Sequence, residues 1–505
     1  MEVVVAGIPI LVLLALLLLR RRPAVAVIAA IGVAVASAGM FPVDPRAAAS
    51  AAVSMGSVSL TVAAIMFAGL ALVHLQRVSG AQDALSGWVN RVAGSRDRAV
   101  LVFGLTLVPL IESLIGWGMG VVMVLPLLVG TGIQRHRAIS IGLLGLMLCP
   151  WGSFAPALLL LSEVTGLGLS EVGTATAWCN VVVIGVLGAA IALVCGGPAQ
   201  LRRSGVELLC AWAAMSAALV SVNAFLAPPL GGALSALTGL AVLAGFARGR
   251  GRRKSGRGAG GRGPAMPRLA RRGLVPYAVV LAGLGCGVLV VRLGVFGAAA
   301  DGAVGLLANP AIWLLLALAV APRALGVPMS DALRGLGEGF RVFVPAVCVT
   351  LLYIAFGVLI GVNGMGAALA EGATSLGGGF VALVPLAGFA SGFATGSNTA
   401  AVAMLGEPLR AAAAGLGLDP AVVAGLHTAA TGAGIMTNPS RAVLAIETAK
   451  LLPGPGPGPG PGPAAGRDPE SARPGIGLWR VLAPTLWANA AIVVLLTAIC
   501  PFVVG

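Results

Sequence analysis

Charged residues are scarce in this chain. They make up 10% of its 505 residues, where soluble domains carry roughly 25%. Hydrophobic residues make up 58%. Apolar runs of about 20 residues, long enough to cross a hydrocarbon core, recur from the first line to the last. That excludes a soluble domain on a single anchor. Strict apolar–polar alternation over about 10 positions is missing, and with it the signature of an outer-membrane barrel. The seven cysteines (149, 179, 195, 210, 286, 348 and 500) lie scattered in apolar sequence. They have neither metal-ligand spacing nor the density of a disulfide framework, so they read as small buried residues. With three histidines, no Ser-His-acid set, no phosphate-cradling Gly loop followed by Lys and no nucleotide domain, the chain is poorly equipped for catalysis or ATP-driven pumping. No cofactor and no metal are expected.

A net charge of +15 would ordinarily suggest nucleic acid. Its placement argues against that. The arginines sit in short loops between apolar runs, as the positive-inside rule requires. Lysine is nearly absent, two against thirty arginines, which fits a coding bias better than a chemical need.

Apolar length places spans at 3–19, 24–41, 52–75, 138–162, 172–196, 204–226, 230–247, 274–293, 304–321, 342–363, 420–447 and 481–503. Loop charge orients them. Arg20, Arg21 and Arg22 follow the first run, the reverse of a secretory signal. That run is expected to be retained as a span, with the N-terminus outside. Arg77, Arg91, Arg96, Arg98, Arg202, Arg203, Arg323, Arg334 and Arg341 then fall inside. Glu163, Glu171, Asp301 and Glu371 fall outside.

Two stretches, 99–134 and 378–416, are too long for one crossing and too short for two. Polar or Gly-rich segments interrupt both, IESLIGWGMG at 111–120 and SGFATGSNTA at 391–400. The threading keeps its sign only if each enters the membrane and returns. The fold expected is therefore an all-α polytopic membrane protein of about 12 transmembrane helices plus two re-entrant hairpins. The following spans are broken too, by CPWGSFAP from Cys149, which contains Pro150, and by TGAGIMTNPS from Thr431, which contains Pro439. The sets 52–196 and 342–503 thus read as two inverted-topology repeats with broken helices at the midplane, the layout of many secondary transporters. Residues 1–247 form an N-terminal half, 248–273 a basic cytoplasmic linker able to touch anionic lipid, and 274–505 a C-terminal half. The last contains a low-complexity Pro/Gly spacer at 453–474.

An intramembrane anion site needs positive potential, and helix N-termini supply it. Thr395-Gly396-Ser397-Asn398-Thr399 has the residues for it. Gly396 admits close approach; Ser397, Asn398 and Thr399 would bond a carboxylate or simply cap the next helix. Pro439 interrupts the following span. Asn438 and Arg441 beside it become candidates, Arg441 as counter-charge or as a side chain snorkelling to the cytoplasmic surface. Glu112 stands alone in apolar sequence, before Gly116 and Gly118. A carboxyl there would exchange a proton or merely pin the hairpin. His427 reads as a polar contact within a span.

These segments resemble the L-lactate permeases, a family that also includes glycolate carriers. Glu112-Ser113-Leu114-Ile115-Gly116-Trp117-Gly118 is similar to the family's Glu-Gly-Ala-Ala-Gly-Phe-Gly motif. Val164-Thr165-Gly166 is similar to its Val-Thr-Gly. Thr395 through Val402 is similar to its Thr-Gly-Ser-Asp-Thr-Ser-Ser-Asn. The stretch from Gly432 to Pro439 resembles its Gly-rich run before a Ser-Pro pair. The chain departs at Asn398, where the family has an acid, at Val402 in place of Asn and at Ile435 in place of Lys. The resemblance implies proton symport of a small organic anion, L-lactate or glycolate, across the cell membrane, and no enzyme. Carboxylate contacts are expected at Ser397, Asn398, Thr399, Asn438 and Arg441, and proton coupling at Glu112. The alternatives are a sodium-coupled carrier of a dicarboxylate or other anion, and a membrane enzyme or assembly subunit that transports nothing.

Overall fold

The computed structural model describes residues 1–19, 21–82, 84, 85, 87, 88, 96–254, 265–293, 306–450, 452 and 477–504. Arg20, Arg91, Asp301, positions 255–264 of the basic linker and the Pro/Gly spacer lie outside these residues. Every described regular element is helical. The helices follow the apolar runs because an isolated backbone in hydrocarbon satisfies its N–H and C=O groups only by closing them within the segment.

Seven described helices are long and apolar enough to cross a membrane, and a bent pair, Arg135–Trp151 with Pro156–Thr165, makes an eighth. Helices Glu2–Leu18, Pro23–Ala36 and Pro310–Leu325 are apolar but shorter. The runs at 172–196 and 204–226 are one helix, Leu169–Phe225, broken at Gly196 and Gly197. Gly197 takes a φ of +70°, open to glycine without steric cost, and Pro198 withholds its N–H. Straight, those 57 residues would reach about 85 Å, far beyond one crossing. Folded at the break, the two arms pack together, and the Trp212 indole donates to the Val181 carbonyl at 2.9 Å.

Both segments expected as hairpins are helix–turn–helix units. The first runs from Arg96 to Ile115, turns at 116–118 and returns as Met119–Gly130. The second is Gly379–Thr395 followed by Asn398–Gly415. Glycine lets each hairpin approach a broken helix backbone to backbone, the packing lipid-embedded helices favour. A Cβ on Gly145 would meet the Gly104 carbonyl. On Gly388 and Gly392 it would meet the carbonyls of His427 and Thr431, and on Gly434 that of Phe389. The two broken helices also meet each other, with Pro150 Cδ 3.2 Å from a Cβ built on Gly432.

Gly392→Val is therefore expected to force apart a pair of helices whose contact is backbone against backbone. Overpacking of this kind costs about 1–3 kcal/mol. Thermal unfolding in detergent should show a clearly lowered midpoint. Gly379→Val, where a Cβ has open space, serves as the control and should melt like the parent.

Candidate functional site

The tip of the first hairpin is built from three successive positive φ angles, at Gly116 (76°), Trp117 (56°) and Gly118 (79°). For Trp117 that conformation is strained. Its effect is to turn the first amides of the returning helix back toward Glu112. The Gly118 N–H donates to one carboxylate oxygen at 2.9 Å and the Gly120 N–H to the other at 3.3 Å. Glu112 is 2% exposed, so these two donors and the helix N-terminus replace the water it has lost.

The first break lies directly against this tip. Ser153, Phe154 and Ala155 all have positive φ, a short left-handed turn that costs about 1–2 kcal/mol per residue. Hydrogen bonds to the hairpin hold it: Ser153 N–H to the Glu112 carbonyl at 3.2 Å, Phe154 N–H to that of Ser113 at 3.1 Å, and the Ser153 hydroxyl to that of Ile115. Hairpin tip and break are one unit.

The second half makes its own unit with different residues. Gly396 turns at a φ of +65°, and the Ser397 hydroxyl caps the next helix by accepting from the Ala400 N–H at 3.3 Å. Across the break, the Asn438 amide donates to the Phe393 carbonyl at 2.8 Å. Its oxygen caps helix Pro439–Lys450, accepting from the N–H groups of Ser440 and Arg441. Pro439, in the first turn of that helix, needs no partner for a missing N–H. Arg441 is thereby aimed inward, and its Nη2 donates to the Gly396 carbonyl at 2.9 Å.

The two units meet at one ion pair. Arg441 Nη1 lies 3.7 Å from Glu112 Oε1. Beside the pair is a cavity of about 300 Å³, walled by both hairpin tips and both breaks. Helices Pro45–Val78 and Met329–Val362 close its side through Met66 and Thr350. Three buried polar atoms of wall residues have no hydrogen-bond partner: Arg441 Nη1 and both side-chain atoms of Asn398. A fixed cation with an unpartnered donor, next to a carboxamide free to donate and accept, is chemistry suited to a small carboxylate. Among the described residues no group of three or more His, Cys, Asp or Glu could hold a metal ion.

A family model described as L-lactate permease matches residues 2–297 and 289–454. The chain belongs to the L-lactate permease family. None of the curated proteins matches it. Membership implies a carrier of lactate or a related monocarboxylate, a transporter rather than an enzyme. The apolar helices agree with a multi-pass membrane protein.

In this member of the permease family, the residues singled out from sequence are distributed unevenly. Glu112, Gly116, Gly396, Ser397, Asn398, Thr399 and Arg441 line the cavity. Gly118 lies under Arg441, where a Cβ would stand 2.5 Å from Nη1. Pro150 sits in the first break. Asn438 is placed differently from a carboxylate contact, since both of its side-chain groups are committed to backbone and it does not line the cavity. Arg441 does not snorkel away, because Gly396 and Glu112 hold it inward. His427 is fully buried with Ser391, 3.4 Å away, and is not on the cavity wall. Of the departures from the permease pattern, Asn398 and Ile435 face the cavity, whereas Val402 is buried in the core. Sequence reasoning treated Glu112 and Arg441 separately and missed their pairing. It also missed Trp117, Cys149, Met66 and Thr350 as wall residues; the first two stand in the interrupted segments IESLIGWGMG and CPWGSFAP, the other two in plain apolar sequence.

Proposed function

We propose that this protein is a proton symporter of a small monocarboxylate, L-lactate or a close 2-hydroxy analogue, across the cell membrane. The observation that carries the reading is the Glu112–Arg441 ion pair, with Arg441 Nη1 on the cavity wall and without a hydrogen-bond partner. The empty site is neutral, one carboxylate against one guanidinium. An incoming carboxylate takes Nη1 and brings a second negative charge close to Glu112, which disfavours two ionised carboxylates. Protonation of Glu112 restores neutrality. A site holding only the anion, or only the proton, carries a net charge that is costly to move through low dielectric. Only the empty and the doubly loaded carrier change access readily, which couples the two fluxes.

In this reading Asn398 and Thr399 contact the substrate and Ser397 holds the tip. Asn438 positions Arg441. The supporting architecture is about twelve spans with two re-entrant hairpins in inverted repeats, and the N-terminus outside. The duplicated unit of hairpin plus broken helix supports it.

The test is uptake of labelled L-lactate by proteoliposomes. Accumulation should follow an inward proton gradient and stop when an uncoupler collapses it. Accumulation that follows a sodium gradient and ignores the uncoupler would overturn proton coupling. Absence of uptake for every monocarboxylate in correctly inserted protein would overturn transport of this class.

A further inference from the structure

The helices that follow the two broken spans share a short pattern. Thr176-Ala177-Trp178-Cys179-Asn180 on one matches Thr485-Leu486-Trp487-Ala488-Asn489 on the other, a Thr-x-Trp-x-Asn repeated. The structure gives the copies the same arrangement. Trp178 and Trp487 are exposed on the outer surface at 60% and 78%, while both threonines and both asparagines are buried. Each asparagine reaches into the broken helix before it. Asn180 Nδ2 donates to the Met147 carbonyl at 3.0 Å, and Asn489 Nδ2 to the Ala433 carbonyl at 2.8 Å.

Both carbonyls lie where a break disturbs the helix ladder. Met147 lies in the 3-10 stretch Gly145–Trp151, where the donor three residues on would be Pro150, which has no N–H to give. Four beyond Ala433 is Thr437, whose N–H goes instead to Gly434. A buried carbonyl without a donor is costly, and in each half the asparagine supplies the donor from the neighbouring helix. Both Oδ1 atoms have no hydrogen-bond partner, so the acceptor of each amide is uncommitted. Nδ2 is the only part of either side chain that holds the break.

We propose that Asn180 and Asn489 are matched positioning residues, each setting the angle of one broken helix and through it one half of the ion-paired site. The inference rests on the symport reading for its functional consequence but not for its structural one. The halves differ in what the break carries. Asn180 holds the turn whose Ser153 and Phe154 amides clasp the Glu112 hairpin, so it acts on the proton partner. Asn489 holds the break that Asn438 caps and that aims Arg441, so it acts on the anion partner.

The test compares Asn180→Leu and Asn489→Leu with the parent in proteoliposomes, and measures amide hydrogen exchange in detergent. Asn489→Leu should raise the KM for L-lactate about tenfold and leave the pH profile of uptake in place. Asn180→Leu should shift that pH profile and change the KM less than twofold. Exchange should rise at 437–442 in Asn489→Leu and at 149–156 in Asn180→Leu, without a global rise. Asn→Asp variants, which regain the donor when protonated, should move toward parental behaviour as pH falls. Equal effects of both leucine variants on KM and pH profile, or exchange raised throughout, would mean a general packing role and overturn the proposal. If the parent carries no monocarboxylate, the symport reading fails, and the localised exchange pattern alone supports or overturns the two latches.

Discussion

Glu112→Gln is expected to abolish proton-driven accumulation of L-lactate while leaving lactate–lactate exchange intact. Glutamine imitates the protonated acid in size and in neutrality. With substrate bound, the site holds one guanidinium and one carboxylate and is neutral, so the loaded carrier still changes access. Emptied, it holds an uncompensated Arg441. Moving that charge costs about 2.5–3.5 kcal/mol on insertion scales, which slows the empty return roughly hundredfold. Net uptake should therefore drop by about that factor. Counterflow, in which the carrier never returns empty, should survive and lose its dependence on pH. Equal loss of net uptake and counterflow would show that Glu112 serves only to hold the hairpin through its bonds to the Gly118 and Gly120 amides. Counterflow that kept the parental pH dependence would place the coupling proton on another group.

Arg441→Gln should have the largest effect on binding and on stability. It removes the cation that faces the cavity and leaves Glu112 buried and unpaired. Breaking a buried pair from one side typically costs about 3–5 kcal/mol, and the Gly396 carbonyl loses its donor as well. The melting temperature should fall by several degrees, and lactate affinity by one to two orders of magnitude, the loss of a charged hydrogen bond worth about 1.5–3 kcal/mol at tenfold per 1.4 kcal/mol. The double variant Glu112→Gln with Arg441→Gln separates the two effects. With neither charge present, most of the lost stability should return, since a neutral replacement of a buried pair is often harmless. Affinity should not return. Thermal unfolding and equilibrium binding of labelled lactate, run on all four proteins, complete the cycle. Additive losses of stability in the double variant would show that the two side chains do not act as a pair.

The two hairpins and the two breaks are legible because their chemistry is local. Gly116, Gly118 and Gly396 permit positive φ, and Pro150 and Pro439 remove donors at fixed positions. In company with the polar residues around them, they mark where the helices of this chain turn or stop, whereas Pro345 and Pro385 lie inside continuous helices. The repeat of Thr-x-Trp-x-Asn stands in the sequence as well, but two polar residues on an apolar helix acquire meaning only once the carbonyls of Met147 and Ala433, at the breaks, are seen beside them. Which polar group near a tip remains free was not legible. Asn398 and Asn438 are the same residue type at neighbouring breaks. Asn438 spends its amide on Phe393 and its oxygen on a cap, whereas Asn398 keeps both atoms unpaired.

The amino-acid sequence by itself determined a membrane-embedded helical chain, the places where its helices turn or break, and the family to which it belongs. Those properties follow from apolar length, glycine, proline and short motifs, all of which act within a few residues. Only the tertiary structure decided that Glu112 and Arg441 form one pair, and which side chains beside them face a cavity. A buried charge has to find its partner in space. The glycines that let the hairpins touch the broken helices backbone to backbone are what bring that partner within reach across most of the length of the chain.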